Sequence, residues 1–289
     1  MGVLEVKGVD KHFGAVVALE SAELEVKRGE VHVLIGSNGS GKSTLCKIIA
    51  GSVIPDAGEI KIEGTVTAIN GPQDAARAGI GVFYQELSLV PQLSVEENLF
   101  LAALPRRGPG LVDRSAMRRR AEALVERFVE VTGDGFTLDA LIQDLRSDQR
   151  QIVEVLKVLA TDARIIIFDE PTSSLDKRQV TVFFNLVREL RDKGRAIIFI
   201  SHRMDEIFEI GDRVTVLRDG RSVECLRLSE TDQDALVQHM VGSRIAPVTA
   251  EQHQVCSSYE DTLLAVKNLG GNRLDGISFE LRRGEILGF

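Results

Sequence analysis

Gly36-Ser37-Asn38-Gly39-Ser40-Gly41-Lys42-Ser43-Thr44 is the stretch that decides the fold. It is a complete phosphate-loop pattern, with the lysine and the hydroxyl residues at the required spacing. Its glycines let several backbone N–H groups point at one phosphate chain, and the helix that follows adds a favourable dipole. The pattern predicts that Lys42 reaches the β- and γ-phosphates of a nucleotide and that the Ser43 hydroxyl ligates Mg²⁺. An ordinary glycine-rich turn is the alternative, which the complete spacing disfavours.

Strand and helix patterns lie on both sides of this loop. Residues 31–35 alternate as in a strand, and residues 45–49 have the apolar spacing of one helix face. The alternation of strands with helices resumes over residues 164–200, whereas residues 91–160 have helical periodicity alone. The sequence therefore predicts an α/β fold with a parallel core that is interrupted by a helical insertion.

A pair of acidic residues completes the predicted nucleotide site. Ile165-Ile166-Ile167-Phe168 has the continuous apolar character of a buried parallel strand, and Asp169 and Glu170 follow at its carboxyl end. Open α/β sheets bind ligands at that edge. We expect Asp169 to hold Mg²⁺, directly or through water, and Glu170 to accept a proton from the attacking water. Acidic residues at the end of a strand are common by themselves. This pair follows a phosphate loop in the same chain, which favours a nucleotide site.

The composition limits the classes of protein to consider. The 289 residues include 43 acidic and 35 basic ones, a formal charge of −8, which lowers the expectation of a nucleic-acid partner. Cys46, Cys225 and Cys256 have no metal-binding spacing, as expected of reduced cytosolic thiols. No apolar run approaches the ~20 residues of a membrane-spanning helix, and the N-terminus does not resemble a signal peptide. We therefore expect any membrane role to be peripheral, through separate membrane subunits.

The motifs occur in an order that resembles ATP-binding cassette ATPases. After the phosphate loop come Gln85, Asp169-Glu170-Pro171-Thr172, Ser174-Leu175-Asp176 and Ser201-His202, and the resemblance covers roughly residues 3–240. It implies a P-loop NTPase core of the RecA-like kind. It also implies an N-terminal antiparallel β subdomain and makes the helical insertion a subdomain of its own.

The resemblance also implies roles for single residues. Gln85 would sense Mg²⁺ and the nucleophilic water while it links the core to the helical subdomain. Asp176 would contact an opposing cassette, and His202 would lie near the γ-phosphate. With Lys42 and Glu170, these two residues, Gln85 and His202, form the predicted catalytic set. Taken without the resemblance, Gln85 and His202 are ordinary polar residues.

The base of the nucleotide is assigned to an aromatic side chain. Phe13, in Lys11-His12-Phe13-Gly14, matches the position at which the family stacks an aromatic ring on adenine. Stacking of this kind contributes ~1–3 kcal/mol. The alternative is that Phe13 fills the core. The predicted ATP-binding residues are Phe13, Gly36, Ser37, Asn38, Gly39, Ser40, Gly41, Lys42, Ser43 and Thr44, and the predicted Mg²⁺ ligands are Ser43, Gln85 and Asp169.

The family signature Leu-Ser-Gly-Gly-Gln is altered in this chain. The matching stretch is Leu145-Arg146-Ser147-Asp148-Gln149, in which Arg146 stands for the serine and Asp148 for the second glycine. In the family this helix start faces ATP held by the other cassette. The Asp148 charge is unfavourable beside phosphate and Arg146 can offset it, so the sequence leaves the balance open. We predict an impaired site for the partner's ATP and a competent site at Lys42. The predicted cassette–cassette contact is formed by Leu145, Arg146, Ser147, Asp148, Gln149 and Asp176.

A short internal repeat indicates a second cassette. Leu4-Glu5-Val6-Lys7 recurs as Leu264-Ala265-Val266-Lys267, and Arg28-Gly29-Glu30 recurs as Arg283-Gly284-Glu285, with five fewer residues between them. The missing residues fall where Phe13 would lie. The predicted domains are a cassette over residues 1–241, a linker over residues 242–262 and the truncated start of a second cassette over residues 263–289.

Two stretches, residues 84–100 and 278–289, resemble bacterial sugar importer ATPases with two fused cassettes, of the ribose, galactose or xylose type. The resemblance implies an ATP-binding and ATP-hydrolysing subunit that couples hydrolysis to sugar uptake. It implies three partners: a second cassette, fused in the full-length protein or in a homodimer; transmembrane permease subunits; and, indirectly, a periplasmic or extracellular solute-binding protein. The expected location is peripheral, on the cytoplasmic face of the cell membrane.

Other cassette proteins provide the alternatives. Nucleoside importer ATPases share much of this pattern, so the solute stays open. A soluble tandem-cassette translation factor that acts on ribosomes would carry a long charged linker, whereas residues 242–262 are short and not basic. A DNA-repair or chromosome-organising cassette would need zinc-binding cysteines or a long coiled coil, and the sequence has neither.

Overall fold

The computed structural model of the protein describes residues 2–84, 88–101, 104–107, 111–242, 261–271 and 274–288. Gln85 and most of the predicted linker lie outside these residues. The chain divides into two units, Met1–Arg244 and Ile245–Phe289, which are described separately. Within the described ranges, every helix is too short or too polar to cross a membrane.

The first unit alternates strands and helices, as the sequence predicts. In chain order its elements are β1 (Gly2–Phe13), β2 (Val16–Lys27), β3 (Glu30–Ile35), α1 (Lys42–Ile49), β4 (Ala57–Ile62), β5 (Thr65–Val66), α2 (Pro72–Arg77), β6 (Ile80–Phe83), α3 (Val95–Leu99), α4 (Arg114–Val125), α5 (Val129–Thr132), α6 (Ser147–Ala160), β7 (Ile165–Asp169), α7 (Lys177–Asp192), β8 (Ala196–Ile200), α8 (Met204–Ile210), β9 (Arg213–Arg218), β10 (Arg221–Arg227) and α9 (Gln233–Val241).

The core sheet has the strand order β10-β9-β3-β8-β7-β6 in the described residues. Strands β9, β3, β8, β7 and β6 are parallel, and β10 returns antiparallel through the Asp219-Gly220 turn. Strands β3 and β8 are buried along their whole length. Burial explains the continuous apolar sequence of β8, whereas β3 also buries Glu30 and His32. Since β3 leads into the phosphate loop and β7 ends at Asp169, this order brings both motifs to one edge of the sheet.

An antiparallel sheet with the strand order β2-β1-β4-β5 packs on one face of α1. In β2, Ala22, Leu24 and Val26 are buried and alternate with exposed residues, as their spacing predicts. Leu45 and Ile49 of α1 are fully buried in the same cluster. The predicted α/β fold, with a parallel core and an N-terminal antiparallel β subdomain, is therefore confirmed.

Helices α3 to α6 lie within residues 91–160, where the sequence predicts the helical insertion. They pack on the core through a cluster that includes Phe168 and Phe183, whose rings meet edge to face at 5.1 Å between centroids. Phe83 lies 6.2 Å from Phe168 in the same cluster. The helix that begins at the altered signature, α6, is therefore anchored on the strand that ends at Asp169.

The second unit contains a hairpin formed by β11 (Thr262–Gly271) and β12 (Leu274–Arg282). It repeats the pairing of β1 with β2. When residues are matched as in the sequence repeat, Leu4 with Leu264 and Arg28 with Arg283, each pair in the second hairpin corresponds to a pair in the first. The corresponding pairs are Leu4↔Val26 and Leu264↔Leu281, Val6↔Leu24 and Val266↔Phe279, and Val9↔Ala22 and Leu269↔Ile277. Strand β11 begins at Thr262, the last residue of the predicted linker.

The hairpins differ at their tips. The second closes with Gly271↔Leu274, the equivalent of Lys11↔Leu19 in the first. The first continues for two further pairs, as far as Phe13↔Val16. The five residues missing from the sequence repeat are therefore the tip that carries Phe13.

Candidate nucleotide-binding site

A cavity of about 390 Å³ opens at the carboxyl ends of the core strands. The cavity is lined by the phosphate loop, by Asp169 at the end of β7 and by Glu170, which follows β7. His202, two residues after β8, also lines the cavity. The structure therefore brings together three motifs that are far apart in the sequence.

Glycine is required in the loop because the backbone passes close to its neighbours. Gly41 has a φ of 102°, and a Cβ there would lie 2.6 Å from Leu19 Cδ2 and 2.7 Å from the Ala18 carbonyl oxygen. A Cβ on Gly36 would lie 2.2 Å from the Leu217 carbonyl oxygen. Neither position can take a larger residue without moving the backbone, so the loop is held in a curled conformation.

Lys42 lies over the start of this loop. Its Nζ atom donates to the Gly36 carbonyl oxygen at 2.7 Å and to the Ser37 carbonyl oxygen at 3.0 Å. Burial lowers the pKa of Lys42, and the negative charges of Asp169 and Glu170 act in the opposite direction. A flexible cation above curled backbone amides is the arrangement that neutralises phosphate oxygens.

The two acids at the end of β7 have different surroundings. Burial and the adjacent Glu170 charge raise the pKa of Asp169, and Lys42 partly offsets both. Glu170 has a left-handed backbone, φ 51°, and its N–H donates to the Ile200 carbonyl oxygen at 3.0 Å. His202 Nδ1 lies 3.4 Å from Glu170 Oε1, and 71% of the histidine side chain is exposed.

This donor set fits Mg²⁺. The Ser43 hydroxyl and the Asp169 carboxylate line the same cavity and are the hard oxygen ligands that Mg²⁺ prefers. A cation there would also relieve the repulsion that raises the Asp169 pKa. Groups of three or more histidine, cysteine or acidic side chains arranged to hold a metal are absent from the described part of the chain.

A buried acid that the sequence analysis missed supports the two turns of the site. Glu206 in α8 is 2% exposed, and its Oε2 atom accepts from Ser201 Oγ at 2.7 Å and from Thr172 Oγ1 at 2.9 Å. Ser201 precedes His202, and Thr172 follows Glu170 by two residues, so one carboxylate holds both turns. In the sequence, Glu206 is indistinguishable from an ordinary acidic residue in the first turn of a helix.

Phe13 lies at the tip of the first hairpin with 51% of its surface exposed, so the interpretation that it fills the core is wrong. Lys11 Nζ lies 5.5 Å from the ring centroid. The Asp56 carboxylate accepts from Lys11 Nζ and from the His12 backbone N–H, both at 2.7 Å, which fixes the end of β1. Across the hairpin, Val16 and Val17 line the cavity.

The altered signature is only partly at the surface. Leu145 and Gln149 are 3% and 2% exposed, so their side chains lie inside the cassette, and the contact of these two residues with another cassette stays a prediction. The Gln149 side chain instead donates to the Thr132 carbonyl oxygen at 2.9 Å and holds the start of α6 from inside. Arg146 and Ser147 are exposed and Asp148 partly so.

Asp176 begins α7, and its carboxylate accepts from the Arg178 and Gln179 N–H groups. The Asp176 side chain is therefore a helix cap in this structure. Gln85, which the sequence assigns both to Mg²⁺ and to catalysis, lies outside the described residues.

Comparison with known proteins places this geometry among transporter cassettes. The family model described as "ABC transporter" matches residues 19–173. "Ribose import ATP-binding protein RbsA 2" of Rhizobium meliloti (strain 1021) is 42% identical over 99% of this chain and 55% of its own length. "Ribose import ATP-binding protein RbsA 3" of Rubrobacter xylanophilus is 44% identical over 99% of this chain and 57% of its own length. The chain thus spans about half the length of these relatives.

Solved structures of cassettes resemble the first unit and have low sequence identity to it. MJ1267, an ATP-binding cassette of an ABC transporter, has a TM-score of 0.70 at 26% identity and covers 83% of this chain and 98% of its own. The dimeric post-hydrolysis state of the cassette MJ0796 bound to ADP and Pi has a TM-score of 0.67 at 26% identity and covers 78% of this chain and 98% of its own.

Proposed function

The chain belongs to the ABC transporter family, and from that premise we propose that it binds and hydrolyses ATP to drive sugar import through separate permease subunits. The observation that carries the proposal is that the phosphate loop with Lys42 faces the Asp169–Glu170 pair across one cavity. The relatives named for ribose import support a sugar over the nucleoside alternative. They equally favour a transporter over a translation factor.

ATP binding is assigned to the loop and the hairpin tip. Amides of residues 36–43 and the Lys42 ammonium would bind the phosphates, and Phe13 would cover the base. Ser43 and Asp169 would hold Mg²⁺, together with Gln85. When bound, Mg²⁺ neutralises charge on the β- and γ-phosphate oxygens.

Hydrolysis is assigned to Glu170 and His202. Glu170 would accept the proton of the attacking water, since it lines the same cavity as the phosphate loop and Asp169. His202, whose Nδ1 lies 3.4 Å from Glu170 Oε1, would donate its ring N–H toward the γ-phosphate. Gln85 would position the water, as the family resemblance implies.

The proposed partners follow from the site and from the second unit. A second cassette would complete both nucleotide sites, as the dimeric MJ0796 structure suggests for a related fold. The hairpin β11–β12 supports the division into a cassette at 1–241, a linker at 242–262 and the start of a second cassette at 263–289, because it repeats the register of β1–β2. The proposal also includes permease subunits as partners and, indirectly, a solute-binding protein. It places the chain on the cytoplasmic face of the membrane and includes no nucleic-acid partner.

Glu170→Gln tests the proposal in the transporter assembled in proteoliposomes. ATP affinity should persist, because phosphate binding does not need the carboxylate, while hydrolysis and sugar uptake should fall about 10²–10⁴-fold through loss of the general base. Glu130→Gln, an exposed acid in α5, is the matched control and should leave both unchanged. Near-normal turnover in Glu170→Gln would sink the assignment, and uptake of nucleosides in place of sugars would move it to the alternative.

A further inference from the structure

We propose that the altered signature is a lock within this cassette: Arg146 and Asp148 neutralise each other, and Gln179 fastens Asp148 to the turn that begins at Asp176. The signature and the turn at Asp176 then move as one rigid body, and the Arg146 side chain faces the opposing cassette. The inference rests on the proposed ATPase function, because both segments act where two cassettes close on nucleotide.

The first part of the lock is a two-point ion pair. Arg146 Nε donates to Asp148 Oδ1 and Arg146 Nη2 donates to Asp148 Oδ2, both at 3.1 Å. Parallel bonds of this kind fix the plane of the guanidinium as well as its position. Arg146 Nη2 also donates to the Thr132 carbonyl oxygen at 3.1 Å, which ties the pair to the end of α5.

The second part is the buried side chain of Gln179, which is 1% exposed. Its Nε2 atom donates to Asp148 Oδ2 at 2.8 Å and to the Val131 carbonyl oxygen at 3.1 Å. Its Oε1 atom accepts from the Asp176 backbone N–H at 3.0 Å. One amide therefore bonds the signature, the helical subdomain and the first turn of α7, and it can do so only because Asp148 supplies an acceptor. Glycine, which the family has at that position, would supply none.

The geometry settles the balance that the sequence leaves open. Burial raises the pKa of Asp148, but hydrogen bonds from Arg146 and Gln179 outweigh it, and the net direction is downward, so the carboxylate is charged. The Asp148 carboxylate accepts hydrogen bonds from Arg146 and Gln179 within the cassette, and its side chain is only 22% exposed, whereas 55% of the Arg146 side chain is exposed. An approaching phosphate would therefore meet the arginine before the aspartate, and the net charge of the pair is close to zero.

Gln179→Glu tests the lock without removing the helix cap, because glutamate at this position also accepts from the Asp176 N–H. It places one carboxylate against another where a hydrogen bond of 2.8 Å now stands. Amide hydrogen exchange should rise together at residues 146–149 and 174–178, and ATP hydrolysis by the assembled transporter should fall about threefold. Adding Asp148→Asn restores a donor opposite the new carboxylate, so both readouts should return toward the parent values.

Gln143→Glu, an exposed glutamine just before the signature, adds the same charge outside the lock and should change neither readout. Arg146→Gln changes a side chain that is 55% exposed, and it should raise exchange at residues 146–149 through loss of the ion pair. ATP binding at Lys42 should be constant throughout, since the signature serves the opposing nucleotide. In Gln179→Glu, unchanged exchange or a rise in one segment alone would overturn the lock. Failure of the double variant Gln179→Glu with Asp148→Asn to recover would overturn it as well. A parent protein that binds no ATP would instead overturn the proposed function, and the exchange result would stand.

Discussion

The phosphate loop and the signature helix are the two ends of the proposed nucleotide machinery, and they are built from different chemical groups. The loop is fixed by backbone contacts, since a Cβ at Gly41 would strike Leu19 and the Ala18 carbonyl oxygen. The signature is fixed by side chains at a partly exposed helix start, where Arg146 and Asp148 compensate each other. A backbone site tolerates almost no substitution, whereas a side-chain site can exchange two residues together and keep its shape. This explains why one motif is complete and the other altered in the same chain.

The largest effect on ATP affinity is expected from a substitution in the phosphate loop. Lys42→Ala removes the ammonium that now bonds the Gly36 and Ser37 carbonyl oxygens. Loss of its charged contacts to phosphate, at ~1.5–3 kcal/mol, predicts ATP affinity lower by about 10–100-fold, measured by titration calorimetry. Lys47→Ala, an exposed lysine of the same helix, is the control and should bind ATP normally. Unchanged affinity in Lys42→Ala would show that the loop is not the phosphate site.

A smaller effect is expected at the hairpin tip. Phe13→Ala should weaken ATP binding about tenfold through loss of stacking on the base, while Phe13→Tyr should retain it. Binding of inorganic triphosphate, which has no base, should be equal in all three proteins, and this separates stacking from a general loss of structure. Phe208→Ala, a phenylalanine of α8 that is 36% exposed, is the matched control. A parallel loss of triphosphate binding would contradict the assignment of Phe13 to the base.

Much of this architecture is predictable from the sequence because its signals are local. The apolar run before Asp169 predicts β7, and the spacing of the glycines predicts the loop, since both depend on neighbours in the chain. The short repeat at residues 264–267 likewise predicts a second hairpin, which the structure gives the register of the first.

The residues that escape prediction act through partners distant in the sequence. Glu206 holds two turns that follow different strands, and Gln179 meets Asp148 across 31 residues. Glu206 has no motif signature, and Gln179 belongs to a capping box with Asp176 that predicts the start of α7 but not the bond to Asp148. The burial of Leu145 and Gln149 cannot be predicted from the sequence either. Both residues match the family signature, and a match does not tell whether a side chain is buried or exposed.

The smallest effect is expected when the residues of the family signature are restored, and this change tests the comparison of the signature with the phosphate loop most directly. Arg146→Ser alone leaves the Asp148 charge uncompensated toward the opposing nucleotide, so hydrolysis at that site should fall about threefold. Arg146→Ser with Asp148→Gly removes both charges and returns the serine and the glycine of the family, and it should raise that hydrolysis about threefold above the parent. Single-turnover measurements with Glu170→Gln in the same chain isolate the opposing site, because that change silences the nucleotide held by Lys42. If the double variant is slower than Arg146→Ser alone, the pair contributes to the opposing site directly, and compensation between two altered side chains is the wrong explanation of the signature.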